Sequence, residues 1–367
     1  MNICFAIGTL NYSGAEKIVR HLINKLNDGE NRISVMLMSC SSPIPTVPKE
    51  VVQYPLYVDP GVFKNPLMRV ARRINGIRNV VNNNNFDVVI SFGVVFNMDV
   101  ALGLVGSKTR LILCERNDPV YDPRSKIQRL RRALTYPLAD GYVFQTETIK
   151  KFFSKDIQSK SVVIPNFIEE TIDQSDTYHP LRQAWATSAR LDDNQKNQKT
   201  LIKAFSLFAK THPNYKLEMY GDGPDRRKLE EYASECGVKS DVLFMGRVKN
   251  PMHEIRSCKG FILTSKFEGM PNALIEAMAY AMPCISTDCG GGGAKALITD
   301  TVNGLLLQND KPETIAAAMS RLSDDDEYAT RLGLNAYRIN EELNIDKIIN
   351  KWTAYFDDVV RGANANK

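Results

Sequence analysis

The sequence lacks the features of a membrane-spanning or secreted protein. No run of about 18 apolar residues occurs in the 367 residues, and the N-terminal Met1-Asn2-Ile3-Cys4 has neither the basic region nor the cleavage site of a signal peptide. The seven cysteines are odd in number and form no Cys-x-x-Cys pair, which argues against a disulfide framework and against a zinc site. We therefore expect a cytoplasmic protein with reduced cysteines in its core.

Charge is divided unevenly along the chain. Residues 1–165 carry 22 Lys and Arg against 13 Asp and Glu, whereas the remainder carries 25 against 29. A basic first half indicates an anionic ligand or surface. The sequence has no basic motif interleaved with aromatic residues of the RNA-binding kind, so we expect no nucleic-acid partner.

Apolar strands alternate with helical segments twice along the chain. The pattern begins with the strand NICFAIGTL and the helix KIVRHLINKL, is interrupted by a polar segment at 170–182, and resumes at AWATSA. Further strands are predicted in the first series at RISVMLM, FDVVISF, RLILCE, GYVFQT and SVVIPN, and in the second at KLEMYGDGP, VLFMG, GFILTS, PCISTDC and GLLLQ. It predicts an α/β protein of two doubly wound Rossmann-like domains, residues 1–168 and 180–349, that face a cleft. A C-terminal helix of about 350–367 could pack back on the first domain. Ligands are expected at the carboxyl ends of the strands.

The segment SKFEGMPNALIEAMAYAMP, residues 265–283, combines a turn with an apolar helix. Pro271 suits the first helical position, and the amides of residues 272–274 would point out of the helix N-terminus, where a phosphate binds well. We expect this helix to be buried, and with it Glu276, which is its only carboxylate. A lone buried Glu is as often a structural hydrogen-bonding group as a ligand-binding one, but a ribose diol would suit it.

Two cations follow the first strand of the second domain. Arg190 and Lys196 lie in SARLDDNQKN, at the carboxyl end of AWATSA. A lone Arg after a strand more often forms a surface salt bridge. Two cations together suit a diphosphate leaving group, because they would stabilise the charge that develops on it.

These motifs occur together in a recognisable order. The set SARLDDNQKN, YGDGP, FMGRVKN, EGMPNALIEAMAYAMPCISTD and NGLLL resembles the family 4 retaining glycosyltransferases of the GT-B fold, particularly bacterial members that build capsular, exopolysaccharide or O-antigen chains. The first half also resembles the family, because GTLNYSGAEK, DVVISF, CERNDP and VIPN occur there in the expected order. The resemblance spans nearly the whole chain, and its Glu-x7-Glu element is specific in this helical context.

The resemblance implies roles for particular residues. Glu268 matches the glutamate that faces the donor sugar, and Arg190 and Lys196 match the cations on the diphosphate, which makes these three the candidate catalytic residues. Glu276 matches the glutamate that holds the ribose. The other implied donor-binding residues are Gly14, Arg247, Val248, Gly269, Met270, Asn272, Ala273 and Leu274; Glu115, Arg116 and Asn117 are candidate contacts of acceptor or donor.

The chain departs from the family pattern at several positions. Ala189 stands where relatives usually have Gly, and Ala296, beside Lys295, stands where many have Glu. The four glycines 290–293 either let the backbone approach the sugar or form a simple turn.

The resemblance also implies an activity. We expect retaining, metal-independent transfer of a hexosyl or N-acetylhexosaminyl group from a nucleotide sugar, with UDP favoured over GDP, to a glycan or polyprenyl-diphosphate-linked acceptor. The nucleotide sugar is a co-substrate, and no further cofactor is implied. A non-catalytic nucleotide-sugar-binding subunit and a GT-B sugar-nucleotide epimerase remain alternatives.

A basic amphipathic segment, RSKIQRLRRALTY, occupies residues 124–136. Ile127, Leu130 and Leu134 recur at helical spacing among five Arg and Lys residues. The pattern is typical of a helix that lies on an anionic bilayer, and equally of a packed helix with a solvated basic face. The first interpretation would place the protein peripherally on the inner face of the cell membrane.

Overall fold

The computed structural model describes residues 1–10, 14–27, 29–39, 47–169 and 172–362. Cys40 and residues 363–367 of the predicted C-terminal helix lie outside these ranges. The chain divides into two compact units, one of Met1–Asn166 with Asp346–Lys367 and one of Phe167–Ile345. The six described cysteines are free, and all but Cys236 are buried.

Each unit contains one parallel sheet. The first sheet has seven strands in the order β3-β2-β1-β4-β5-β6-β7, and the second has six in the order β10-β9-β8-β11-β12-β13. The strands are β1 (Asn2–Ile7), β2 (Arg32–Leu37), β3 (Val52–Pro55), β4 (Val88–Phe92), β5 (Arg110–Glu115), β6 (Gly141–Phe144), β7 (Ser161–Val163), β8 (Ala184–Ser188), β9 (Lys216–Tyr220), β10 (Val242–Gly246), β11 (Gly260–Leu263), β12 (Cys284–Thr287) and β13 (Leu305–Leu307).

Helices connect the strands in both units. They are α1 (Gly14–Leu26), α2 (Pro66–Asn84), α3 (Val94–Gly103), α4 (Lys126–Thr135), α5 (Glu147–Phe152), α6 (Lys155–Ser159), α7 (Asp193–Lys196), α8 (Gln198–Phe208), α9 (Arg226–Glu235), α10 (Pro251–Ile255), α11 (Asn272–Ala279), α12 (Gly293–Leu297), α13 (Pro312–Asp324), α14 (Asp326–Ala336), α15 (Ile339–Glu342) and α16 (Ile345–Val360). None of the described helices is both long enough and apolar enough to cross a bilayer.

The central strands are apolar because each lies inside its unit. Every residue of β4 is buried, and so is every residue of β11. Strands that are covered on both faces have no polar side to alternate with, which is why the sequence shows continuous apolar runs. The strand β3 was not predicted; it is a short strand at the sheet edge whose four residues are exposed or half-buried.

Strand order reverses once in each sheet. In the first sheet the reversal falls between β1 and β4, and in the second between β8 and β11. Loops that leave two such neighbouring strands diverge to opposite faces, so a crevice forms at their carboxyl ends. This is where the second unit holds the residues described below.

The C-terminal helix α16 packs within the first unit. The ring of Trp352 lies against that of Phe92 in β4, with 5.8 Å between centroids. The hydroxyl of Tyr355 accepts a hydrogen bond from the amide of Tyr142 at 2.7 Å and donates one to the carbonyl of Lys160 at 2.6 Å. The chain therefore returns to the first sheet after completing the second.

Candidate functional site

The loops after β8 and β11 bring two of the candidate catalytic residues into contact. Lys196 ends α7, and its Nζ forms an ion pair with Oε1 of Glu268. Ser265 Oγ donates a hydrogen bond to the same oxygen at 2.7 Å. Glu268 is buried, with 7% of its surface exposed. The cation and the hydroxyl donor offset part of the cost of burying this carboxylate.

Backbone contacts hold the loop that carries Lys196 against the segment after β11. The hydroxyl of Thr264 donates to the carbonyl of Lys196 at 3.1 Å, and the amide of Lys266 donates to the carbonyl of Gln195 at 2.8 Å. Gln195 Nε2 in turn donates to the carbonyl of Phe267 at 3.3 Å. The sequence analysis did not single out Thr264, Ser265 or Gln195, although all three follow the same two strands.

Arg190 lies at the same edge and differs from Lys196 in its contacts. Its carbonyl accepts a hydrogen bond from Gln198 Nε2 at 2.8 Å, which fixes the backbone. Its side chain is exposed, and its guanidinium has no hydrogen bond or ion pair to any described residue. Lys196 therefore binds Glu268 and keeps further N–H donors for an external anion, while the Arg190 guanidinium has no partner among the described residues.

The helix α11 begins one residue later than predicted. Pro271 is its N-cap, with φ −76° and ψ 107°, rather than its first helical residue. The amides of Leu274 and Ile275 both donate to the carbonyl of Pro271, at 3.1 and 3.2 Å. The prediction that the Leu274 amide points outward is therefore wrong, because this amide closes the first turn. The amides of Asn272 and Ala273 precede that turn.

The prediction that Glu276 is buried is also wrong. Glu276 is half-buried, as are Asn272 and Ala273, whereas Leu274, Ile275 and residues 277–279 are buried. Residues 272 and 273 precede 276 by four and three positions, so each lies on the same face of the helix as Glu276. The carboxylate of Glu276 thus lies on the same partly open face as the helix N-terminus.

The glycine turn after β12 packs closely on the Glu268 segment. The amide of Glu268 donates to the carbonyl of Gly290 at 3.0 Å, and the amide of Gly290 donates to Lys266 at 3.1 Å. A Cβ on Gly293 would lie 2.0 Å from the carbonyl oxygen of Gly269. This glycine is required for the close approach of two backbones. Lys295 and Ala296 are exposed on α12.

The remaining donor-binding candidates lie in different places. Gly269 and Met270 are buried between Glu268 and α11, and Arg247 and Val248 are exposed in the loop after β10. The strand β10 is two positions from β8 in the sheet, at the same carboxyl edge. Gly14 begins α1 in the first unit.

The three candidates after β5 are in the first unit. Glu115 is buried, and its Oε2 accepts a hydrogen bond from the hydroxyl of Tyr136 at 2.7 Å. Burial raises the pKa of Glu115 to about 8, although the charge of Arg132 and the Tyr136 hydrogen bond oppose the shift. Asn117 Nδ2 donates to Asp122 Oδ2 at 3.2 Å. Arg116 Nη2 donates to Oδ1 of Asn166.

The site in the second unit favours binding of an anion over attack by a protein nucleophile. Burial, assisted by the charge of Glu268, raises the pKa of the Cys289 thiol to about 12, so this nearby thiol stays neutral and unreactive. A free guanidinium and a helix N-terminus are suited to phosphate oxygens. The half-buried Glu276 carboxylate on the same helix is suited to neutral hydroxyl groups.

The chain is similar in sequence to known glycosyltransferases. Residues 182–339 match the model of the family described as "Glycosyl transferases group 1". The chain is 28% identical, over 98% of its length and 99% of the relative's, to GalNAc-alpha-(1->4)-GalNAc-alpha-(1->3)-diNAcBac-PP-undecaprenol alpha-1,4-N-acetyl-D-galactosaminyltransferase of Campylobacter jejuni. It is 23% identical to the amylovoran biosynthesis glycosyltransferase AmsD of Erwinia amylovora, with 94% of this chain and 96% of that one covered.

Solved structures agree over nearly the whole chain. The apo form of the lipopolysaccharide outer core galactosyltransferase WaaB matches with a TM-score of 0.76 at 19% identity, covering 99% of this chain and 100% of that one. Anabaena Alr3699/HepE in complex with UDP-glucose matches with a TM-score of 0.78 at 16% identity, covering 98% and 100%. Both units therefore share the fold of these proteins.

Proposed function

We propose that the chain is a GT-B glycosyltransferase of the bacterial polysaccharide type and that it transfers a hexosyl or N-acetylhexosaminyl group from a UDP-sugar, with retention of configuration. The observation that carries the proposal is the arrangement after β8 and β11, in which Lys196 is paired with the buried Glu268 while Arg190 is unpaired. UDP is supported by the structural neighbours, since Alr3699/HepE was crystallised with UDP and with UDP-glucose.

Each residue has one part in the proposed reaction. Arg190, Lys196 and the amides of Asn272 and Ala273 bind the diphosphate, and Glu276 accepts hydrogen bonds from the ribose hydroxyls. Glu268 faces the sugar. The bond between the anomeric carbon and the diphosphate oxygen breaks, and the acceptor hydroxyl attacks from the same face and passes its proton to the departing phosphate. Two cations and a helix N-terminus supply the charge stabilisation that a metal ion gives elsewhere.

The acceptor in this proposal is a glycan on a polyprenyl diphosphate. The name of the Campylobacter jejuni relative describes a PP-undecaprenol-linked acceptor. A substrate with an undecaprenol chain is anchored in a membrane, so in this proposal the enzyme works as a cytoplasmic, peripheral membrane protein.

The helix α4 supports membrane association. Ile127, Leu130 and Leu134 are 73%, 62% and 67% exposed, so they do not pack in the core. On the inner side Arg131 pairs with the buried Asp99 at 2.6 Å, and Arg132 is buried. A helix with apolar residues outward is the reverse of an ordinary surface helix. In the alternative, a packed helix with a solvated basic face, these three apolar side chains would be expected to pack, and they do not.

A transfer assay tests the proposal. Purified protein is incubated with labelled nucleotide sugars and a lipid-linked glycan, and the anomeric configuration of the product is read by NMR. Transfer with retention is expected with UDP-sugars and without added metal. Epimerised donor in the absence of acceptor would support the epimerase instead, and donor binding without any product would support the accessory subunit.

Donor choice is tested by a thermal-shift panel of nucleotide sugars. A ligand at 100 times its Kd stabilises the folded protein by about 2.7 kcal/mol, which is readily measured. A shift with GDP-sugars but none with UDP-sugars would contradict the UDP assignment.

A further inference from the structure

The carboxyl edge of the first sheet holds a guanidinium with too few partners. Arg116 directly follows β5, and its Nη2 donates a hydrogen bond to Oδ1 of Asn166. Its Nε and Nη1 are buried and have no hydrogen-bond acceptor among the residues that the structure describes. Unpaired buried donors are costly, and they are more costly on a charged group.

Among the residues that the structure describes, no carboxylate forms an ion pair with Arg116. The neighbouring Glu115 accepts a hydrogen bond from Tyr136, and burial raises its pKa to about 8, so it is mostly neutral at pH 7. Burial lowers the pKa of Arg116 to about 10, which still leaves the guanidinium protonated. Its hydrogen-bond partner, Asn166, is a neutral amide.

Neighbouring strands hold this guanidinium in place. Asn166 Oδ1 also accepts a hydrogen bond from Gln145 Nε2 at 2.7 Å, and both of these residues are 3% exposed. Arg116, Gln145 and Asn166 follow β5, β6 and β7, which are adjacent in the sheet. Arg116 as a whole is only partly buried, although its Nε and Nη1 are not exposed, so a ligand must enter past the exposed part of the residue to reach them. Ligands of doubly wound sheets bind at this edge.

We propose that Arg116 binds an oxyanion of the acceptor, a phosphate or carboxylate group, through Nε and Nη1. The proposal rests on the proposed transferase function and adds that the acceptor is anionic near its binding site. Water or a sugar hydroxyl could accept the same hydrogen bonds, but neither would compensate the charge. A diphosphate linker and an acidic sugar are the two sources of such a group.

Inorganic pyrophosphate and D-glucuronate are the probes for this site. Each is titrated in a thermal-shift assay with UDP at saturating concentration, so that the donor site is already occupied. We expect at least one probe to raise the Tm of the wild-type protein, and Arg116→Gln to lose this rise. The matched control is Arg110→Gln at the opposite end of β5, where an exposed arginine pairs with Asp140; it should keep the rise.

The stability of the variant separates lost binding from lost folding. Since Arg116→Gln removes a buried charge without a counter-ion, its Tm without probes should equal or exceed that of the wild type. Its KM for a lipid-linked acceptor should rise at least tenfold, while its KM for the donor and its UDP-induced shift stay unchanged.

The two probes distinguish the two possible sources of the oxyanion. A shift with pyrophosphate alone identifies a diphosphate group, and a shift with glucuronate alone identifies an acidic sugar. Equal shifts in Arg116→Gln and wild type, or no shift with either probe in the wild type, overturn the proposal. Failure of UDP to shift the wild type would count against the proposed function instead.

Discussion

Lys196 and Glu268 form an ion pair that joins the loops after β8 and β11. Both were chosen as site residues, because each follows a strand and matches a family motif. Their direct contact could not be predicted, since 72 residues separate them and only the order of β8 and β11 in the sheet brings them together. The partial exposure of Glu276 could not be predicted for a similar reason. The spacing of apolar residues shows which side chains share a helix face, but it does not show which parts of the protein pack against that face.

The unpaired Arg190 and the half-buried Glu276 should differ in their kinetic effects. Arg190→Ala should lower kcat about 100-fold, because it removes a group that stabilises charge in the transition state. Glu276→Ala should mainly raise the donor KM, since ribose binding is the same in ground and transition states. Steady-state kinetics with UDP-sugar distinguish the two. Arg227→Ala, at an arginine whose side chain is 90% exposed, is the control; unchanged kinetics in both site variants would refute the assignment.

The raised pKa of Glu115 predicts that the stability of the protein depends on pH. Its pKa is about 8 in the folded protein against an ordinary 4.5. Between these values unfolding releases a proton, so the free energy of unfolding falls as pH rises, by about 1.4 kcal/mol per pH unit at most. The contribution is complete below pH 4.5 and lost above pH 8.

Substitution isolates this contribution. Glu115→Gln keeps an acceptor for Tyr136 but cannot ionise, so the variant should gain stability relative to wild type as pH rises from 5 to 8. Urea unfolding at several pH values measures the difference. The exposed Glu50→Gln should follow the wild type. If both variants parallel the wild type, then Glu115 ionises normally in the folded state.

At the scale of elements, the sequence predicted nearly all of the strands that build the two sheets. Strands buried on both faces, such as β4 and β11, are continuous apolar runs, and their signal is strong. The edge strand β3 was missed because hydrogen bonds to β2 define it, whereas its exposed side chains give no pattern. The start of α11 was off by one residue, which is the usual uncertainty at a helix end.

The contact between the glycine turn and the Glu268 segment gives a prediction for Gly293. A Cβ at this position would lie 2.0 Å from the Gly269 carbonyl oxygen, so Gly293→Ala must displace the backbone next to Glu268. We expect a loss of about 1–3 kcal/mol of stability and at least a tenfold fall in kcat. Gly61→Ala, which would contact only the side chain of Asp59, is the control. Wild-type kinetics in Gly293→Ala would show that the segment tolerates displacement.

The outward apolar face of α4 predicts binding to anionic vesicles. The full-length protein should sediment with vesicles that contain anionic lipid at low salt, and less at high salt, because the basic residues are screened. Replacing Ile127, Leu130 and Leu134 together by Ser should reduce binding at either salt concentration without lowering Tm, since these side chains are exposed. Absence of binding at low salt would exclude this surface as a membrane contact.

The two units differ in net charge and in the parts of the chain that form them. The first half of the sequence has a positive net charge because it has few acidic residues, and the proposed acceptor and membrane contacts fall there, while the donor residues fall mainly in the second unit. The sequence pattern predicted that the polar segment at 170–182 separates the two series of alternating strands and helices. It could only suggest that the last helix returns to the first unit, because the partner of an apolar helix face is decided by tertiary packing.

Trp352 offers a test of this chain path. It is fully buried in α16 and packs on Phe92 of β4 and on Phe356, with ring centroids 5.8 and 5.7 Å away. Trp352→Ala should cost the first unit about 3–5 kcal/mol, because it leaves a large cavity, and Trp352→Phe should cost less.

Calorimetry can assign that loss to one unit. Because each unit has its own sheet and apolar core, we expect unfolding in two transitions rather than a single one. UDP should raise the transition of the second unit, since a ligand stabilises the part that binds it. Trp352→Ala should lower the other transition and leave the UDP-dependent one in place. If the variant lowered both transitions equally, then the helix would be stabilising the two units jointly, and the donor-binding unit could not fold independently of it.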